Sequence, residues 1–300
     1  MIAMPSRNGV LFACMCLVWG LTFLPVKIAA EHVPPIFFAA ARFVLAGPLL
    51  LAWAGRDALR VPVEARGRLV ATAMLVNTGC YSLVFWGTAH APTGLAAIVN
   101  LASIPIWSLL ASRLIEGTRI TRRQVAAVGL GFVGLCFLFW TRAAGGLGSA
   151  QRDPLELWGL AAVALGTLSY CTGAVLTRKI APAIPTLTLA GWQSTIGAVG
   201  LVALSLAIEP VTAGHLDALA AWPTAQALGF IIVAGSLIGF TIYLRLLRDW
   251  GAFYAGLYAF ISPVIAVAAG MAVLGEPFGA AEALGALLMF AAAGIALSQR

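Results

Sequence analysis

Apolar residues run through this chain in unbroken stretches of about twenty, parted by short polar or proline-bearing segments. Ten such stretches recur, near 9–28, 35–54, 68–88, 93–114, 124–141, 156–177, 186–207, 226–247, 251–274 and 279–298. At about 1.5 Å of rise per residue, each is long enough to cross the apolar core of a bilayer as an α-helix. None alternates polar and apolar as a barrel strand does, so the pattern predicts an all-α integral membrane protein. The separators carry turn chemistry: Val33-Pro34-Pro35, Ala91-Pro92-Thr93, Ala181-Pro182 with Pro185, and Glu276-Pro277. Two connections are longer. One is the glycine-rich stretch 143–148; the other runs from Glu209 to Thr224, where Leu216, Leu219 and Trp222 suit a short interfacial helix.

Composition agrees and narrows the choice. Apolar residues make up 61% of the 300 and charged residues 10%, too few charges to cover a soluble surface. The net charge of +7 does not indicate a nucleic-acid partner. Sixteen of the eighteen basic residues are arginines dispersed through the connections, with no basic face. Cys14, Cys16, Cys80, Cys136 and Cys171 lie inside apolar runs without metal-ligand spacing, so they read as small buried hydrophobes. No metal or other cofactor is expected. The first run spans without a clean cleavage site, so it reads as a retained helix rather than a signal peptide.

Basic residues also set the orientation. Fourteen Lys and Arg fall at the termini and even-numbered connections, against Lys27, Arg142 and Arg152 on the other side. That asymmetry predicts cytoplasmic termini. The two halves resemble each other as well. A shift of 151 sets Trp19 on Tyr170, Lys27 on Arg178 and Arg42 on Gln193; a shift of 158 sets Pro105 on Pro263 and Ala127 on Gly285. Two five-helix repeats are expected, residues 1–150 and 151–300, together forming one transport domain. Because five is odd, the second repeat should be inverted, an architecture typical of secondary transporters.

These residues resemble the drug/metabolite transporter superfamily, in its ten-span EamA-domain branch. The resemblance covers essentially the whole chain. It rests on Trp19-Gly20 with Lys27, on Ala41-Arg42-Phe43 with its echo Trp192-Gln193, and on Pro263 followed by Gly275-Glu276 and Gly285. The first half departs at position 118, which is Thr where the second half has Glu276, while Glu116 stands two residues early. The aromatic load makes the chain look most like the bacterial YddG-type aromatic amino-acid exporters. The resemblance implies a bacterial plasma (inner) membrane location and export of a small metabolite by alternating access.

Candidate functional residues are those that are costly in a bilayer. Arg42, about seven residues into the second run, is the clearest intramembrane charge. It has two readings: a charge anchor for a substrate carboxylate, or a structural clamp on backbone carbonyls that snorkels outward. No Asp or Glu falls at mid-depth, which favours facilitated uniport over proton coupling; His90, near an outer end, is an interfacial ring or a titrating group. Asn100, Ser103 and Trp107 share one face of the fourth run, and Tyr254, Tyr258 and Ser262 one face of the ninth. With Asn77 and Tyr81 in the third run, and with Trp19, Tyr170 and Gln193, they are expected to line a substrate cavity. Taken singly, each aromatic is equally an interface anchor or a core filler. Pro105 and Pro263 interrupt matched helices and mark either moving joints or static kinks. The fifth and tenth runs, nearly all apolar with small residues, should be peripheral.

The chain is therefore expected to be a secondary exporter of small metabolites, amino acids foremost and aromatic ones favoured. A proton-coupled drug or metabolite exporter of the same superfamily is the alternative. An intramembrane enzyme would need a nucleophile with His, paired Asp or a metal cluster at mid-depth, and none is present. The expected partners are a small-molecule substrate and the lipid bilayer, with no nucleic acid, the protein being a monomer or homodimer.

Overall fold

Unbroken apolar runs bury their backbone amides only by winding into helices, and every described regular element is helical. The computed structural model describes residues 7–119, 121–143 and 154–297. Eight helices are long and apolar enough to cross a membrane: α1 (Arg7–Ala29), α2 (Pro35–Leu59), α3 (Val63–His90), α4 (Thr93–Glu116), α5 (Arg122–Thr141), α6 (Leu155–Thr177), α7 (Thr186–Ile208) and α8 (Thr224–Trp250). Two shorter apolar helices follow, α9 (Tyr258–Leu274) and α10 (Ala280–Leu297). The short helix expected in the 209–224 connection is present at Gly214–Ala220, with Leu216 and the nearby Trp222 exposed. Residues 144–148 of the glycine-rich connection, together with Arg152, lie outside the described residues.

Prolines set several boundaries. Pro35 opens α2, with Pro34 before it, and Pro92, Pro185 and Pro223 immediately precede α4, α7 and α8. At these positions a missing N–H costs nothing, because the first helical turn leaves its donors free. Acidic side chains satisfy some of those donors. Glu209 accepts from Ile36 N and Phe37 N at 2.8 Å each, and Glu276 accepts from Thr93 N and Thr93 Oγ1 at 2.8 Å each. Both carboxylates come from distant loops and cap α2 and α4, so two of the acids that the sequence places at span edges serve as helix caps. The Lys27 ammonium does the converse, donating to Ala89 O and Ala91 O near the end of α3.

Two helices contain a wider turn. Met74–Gly79 in α3 and Ile231–Ile238 in α8 wind with i to i+5 spacing, and Ser236 Oγ donates to Ile231 O across the second. The sequence places the paired breaks at Pro105 and Pro263, in α4 and α9, and both prolines lie inside those helices. The wide turns occupy the neighbouring matched pair, α3 and α8. One further boundary differs from the sequence reading. Helix Gly239–Gly256 continues the α8 segment past residue 250, and the chain turns at Leu257, so Tyr254 and Tyr258 stand on different helices.

Packing follows a matched pattern. Helix α2 lies along α7, α5 along α10 and α4 along α9. The α3–α6 and α4–α6 contacts have counterparts in α8–α1 and α9–α1. Glycines make the seams. On α6, Gly159, Gly166 and Gly173 recur every seven residues against Gly87 O, Cys80 O and Val76 of α3. A methyl group at Gly166 would stand 2.9 Å from the Cys80 carbonyl oxygen, whereas one at Gly129 would meet nothing within 4 Å. Gly166→Ala should therefore cost about 1–3 kcal/mol and lower the thermal midpoint in detergent. Gly129→Ala should leave the midpoint unchanged or slightly raise it. Equal midpoints for the two variants would contradict the seam.

Candidate functional site

The wide turns in α3 and α8 carry Asn77, Gly235 and Ser236 to the wall of a cavity of about 470 Å³. That volume is in the range of small-molecule sites. Residues of α1, α2, α3, α4, α6, α7, α8 and α9 line it, and among the described residues none comes from α5 or α10. Those two helices pack on each other through Gly134 against Met289 and Gly285 against Leu138. Their peripheral place follows from side chains with nothing to offer a polar solute.

Seven of the eleven residues expected along the cavity meet in it: Trp19, Asn77, Tyr81, Asn100, Tyr170, Gln193 and Tyr258. Three do not join them there, among them Ser262, whose Oγ donates to Cys16 O. Ser103 Oγ turns back on its own helix and donates to Val99 O and Asn100 O. Trp107 packs edge-on against Phe132 of α5, with ring centroids 5.3 Å apart. Both instead border a small void beside Gly131 and Met289. The Tyr254 side chain lies outside the described residues. The structure also adds residues that helical spacing did not single out, including Thr22, Thr88, Thr167, Ser194, Ser236 and Tyr243.

At one part of the wall three aromatic rings close together. Trp19 lies 4.5 Å from Tyr258 in an edge-on arrangement and 5.4 Å from Tyr243, and the two tyrosines are 6.0 Å apart. Trp19 is fixed by its Nε1–H, which donates to Gly235 O at 3.1 Å. This carbonyl belongs to the wide turn of α8. On α3, the wide-turn carbonyl of Leu75 is met in the same manner by Ser169 Oγ of α6, at 2.8 Å. A wide turn leaves backbone oxygens without their usual i+4 partner, and side chains from neighbouring helices supply one.

The amides are held by threonine hydroxyls. Asn100 Nδ2 donates to Thr167 Oγ1 at 3.0 Å, and that hydroxyl donates onward to Val163 O. Gln193 Nε2 donates to Thr72 Oγ1 and Thr177 Oγ1, each at 3.0 Å. With both amide N–H groups so occupied, the Gln193 carbonyl oxygen is the end left to face solute. These bonds fix rotamers before any solute arrives, which lowers the entropic cost of binding. Close backbone approach fixes Asn77, because a methyl group at Gly197 of α7 would collide with its Cβ.

Arg42 and its repeat counterpart Gln193 both line the cavity, on the paired helices α2 and α7, and Arg42 is the one charged side chain among the described residues lining it. Its Nε donates to Ser236 Oγ at 3.1 Å. Its guanidinium carbon stands 4.8 Å from the Phe43 ring, 4.9 Å from Tyr81 and 5.9 Å from Phe85. Its partners among the described residues are rings and the hydroxyls of Ser236 and Tyr81, not the backbone carbonyls of the clamp reading. Pro105 and Pro263 do not line the cavity, and neither does His90, whose Nδ1 is 2.8 Å from Trp86 O.

A family model for the EamA-like transporter family matches the chain twice, over residues 7–140 and 157–298. Among curated proteins, the uncharacterized inner membrane transporter YedA of Escherichia coli K12 is 29% identical over 285 residues, covering 93% of this chain and 87% of the relative. A probable amino-acid metabolite efflux pump of Salmonella typhimurium is 22% identical over 96% of this chain and 94% of its own length. Protein PecM of Dickeya dadantii is 26% identical over 92% of this chain and 87% of its own. A solved crystal structure superposes with a TM-score of 0.62 at 20% identity, over 98% of this chain and 97% of that one, which establishes a shared fold.

A methyl group at Gly239 would stand 2.5 Å from Trp19 Nε1. Gly239→Ala should therefore push Trp19 off Gly235 O and disrupt the aromatic wall. In liposomes it should reduce transport at least several-fold at unchanged expression; transport equal to that of Gly129→Ala would show that Trp19 does not shape the path.

Proposed function

We propose that this chain, which belongs to the EamA-like transporter family, is a secondary exporter of amino acids that works by alternating access across the bacterial inner membrane. The observation that carries this reading is the cavity of about 470 Å³, lined by Trp19, Tyr81, Tyr170, Tyr243 and Tyr258, oriented amides and one arginine. Aromatic faces bind a planar ring or a substrate ammonium, and fixed amides orient a polar headgroup. Aromatic amino acids suit such a wall best, as in the YddG-type exporters that the sequence resembles. The efflux-pump and inner-membrane names of relatives support the same substrate class and membrane.

In this reading all ten helices span the membrane. The 17 residues of α9 lie at the short end of the range that crosses a bilayer. The two repeats, 1–150 and 151–300, have opposite orientation, both termini are cytoplasmic, and the protein acts as a monomer or homodimer without nucleic acid. The double family match and the matched helix pairs support the repeat. A chain that places its cavity between equivalent helices can expose it to either side by moving one set against the other. Pro105 and Pro263, or the wide turns beside them, are where that movement would bend.

Transport is proposed to be facilitated rather than proton-driven, because no Asp, Glu or His is among the described residues lining the cavity. Arg42 remains charged throughout the accessible pH range, so it cannot relay protons.

Purified protein in liposomes preloaded with Trp, Phe or Thr should take up the labelled amino acid by counterflow. Tyr258→Ala and Asn100→Ala should abolish that uptake while leaving expression and folding intact. Absence of counterflow with every amino acid in the panel would exclude the amino-acid assignment, and full activity in both variants would exclude this cavity. An imposed pH gradient should change flux less than twofold; a strong dependence would overturn the uniport mechanism.

A further inference from the structure

Arg42 is a permanent cation inside an apolar wall, and the way it is held indicates what it is for. A buried guanidinium ordinarily pairs with a carboxylate, because an uncompensated charge in low dielectric costs several kcal/mol. Here the groups that act on it electrostatically are the Tyr81 hydroxyl, whose oxygen also accepts a hydrogen bond from it, and the Cys80 thiol; among the described residues no carboxylate does so. Its other contacts are Ser236 Oγ through Nε and the ring faces of Phe43, Tyr81 and Phe85.

This arrangement orients the group without neutralising it. Three aromatic rings surround the guanidinium and the Nε–H is taken by Ser236, which is itself fixed by donating to Ile231 O at 3.2 Å. With Nε on Ser236 and one further donor on the Tyr81 hydroxyl oxygen, the remaining Nη donors are left for a partner, and such donors suit a carboxylate. A second group on the same cavity wall points the same way. Thr88, 1% exposed and seven residues beyond Tyr81 on α3, has a hydroxyl oxygen with no hydrogen-bond partner. An unmet buried hydroxyl is rare and costly, and it is explained if a ligand supplies its partner.

We infer that Arg42 is the carboxylate receptor of this cavity, that Ser236 is its positioning residue, and that the Thr88 hydroxyl binds the same polar headgroup. The substrate class is then a small organic acid or zwitterion with a free carboxylate, and a compound lacking that group is rejected. This rests on the amino-acid export reading and makes it more specific. The wide turn of α8 acquires a role here. It places Ser236 under Arg42 and the carbonyl of Gly235 under Trp19, so one irregular helical segment organises both the charged and the aromatic parts of the site.

The test compares an amino acid with its own carboxamide, which keeps the ring, the ammonium and the shape but loses the negative charge. L-Tryptophan with L-tryptophanamide, and L-threonine with L-threoninamide, would compete against the labelled amino acid for binding to the purified full chain in detergent. For the wild type, each free acid should compete about ten- to a hundredfold better than its amide. Arg42→Gln should abolish that preference by weakening the acid and leaving the amide nearly unchanged. Arg42→Lys should restore part of it. Ser236→Ala should weaken the acid several-fold with the amide unaffected, and Ser236→Thr should recover it. Thr88→Val should weaken binding, and Thr88→Ser should not.

An amide that competes as well as its acid in the wild type would overturn the inference while leaving amino-acid export standing. So would an acid preference that survives Arg42→Gln. If neither acids nor amides bind or are transported, it is the export reading that fails. Thermal unfolding of each variant separates loss of binding from loss of fold.

Discussion

A polar group in the interior of a bilayer has no water to bond, so it must find its partner inside the protein. The architecture of this chain follows from that constraint. Helices satisfy the backbone, carboxylates and prolines manage the helix ends, and the remaining polar side chains turn toward one another around a central space. Thr72, Thr167 and Thr177 hold Gln193 and Asn100, and each of these threonines also donates to a carbonyl in its own helix. Two helices give up regular winding where the cavity needs backbone oxygens, and Trp19 and Ser169 meet those oxygens from neighbouring helices. The Arg42 charge, which has no carboxylate partner among the described residues, and the unpartnered Thr88 hydroxyl face the same cavity, whereas Trp107 Nε1, also without a partner, borders the small void beside Gly131.

The same constraint separates scaffold from site. Helices α5 and α10 carry almost no polar side chains toward the middle, so they pack by glycine contact and leave the cavity to the other eight. The glycine seam between α3 and α6 brings the two backbones close enough for Ser169 to reach Leu75 O. Close packing and an open interior are therefore not in conflict: small residues join some helix faces tightly, while bulky rings such as Trp19, Tyr243 and Tyr258 border the space between others.

Much of this was legible in the sequence, and the gaps have physical causes. Apolar run length marked the eight helices long enough to cross a membrane and the two shorter apolar ones after them, because a bilayer imposes a minimum length on any segment that crosses it. Matched positions in the two halves drew attention to Trp19, Tyr170, Arg42 and Gln193, all of which border the cavity. Helical periodicity served less well. It grouped Ser103 and Trp107 with Asn100, but two turns along α4 that face is covered by Phe132 of α5 rather than by the cavity. It also joined Tyr254 to Tyr258 across a turn at Leu257 that no proline announces. The wide turns of α3 and α8 have no strong residue signature, so Ser236 and Tyr243 passed unnoticed although Gly235 and Ser236 stand in a visible glycine-rich stretch. Acids at span ends were recognised as absent from mid-depth, while their use as caps depends on tertiary contacts between distant loops and helices.

The central claim is that the polar and aromatic groups enclosed here surround a solute path rather than a packed core. Ser194, buried on α7 and lining the cavity, offers a direct probe, since Ser194→Cys is nearly isosteric. In a chain whose five native cysteines have been replaced, that single thiol should react with a small, charged, membrane-impermeant thiol reagent. Millimolar concentrations of a transported amino acid should slow the reaction severalfold. A thiol that stays unreactive in the folded protein, or one whose rate no transported solute alters, would contradict the account.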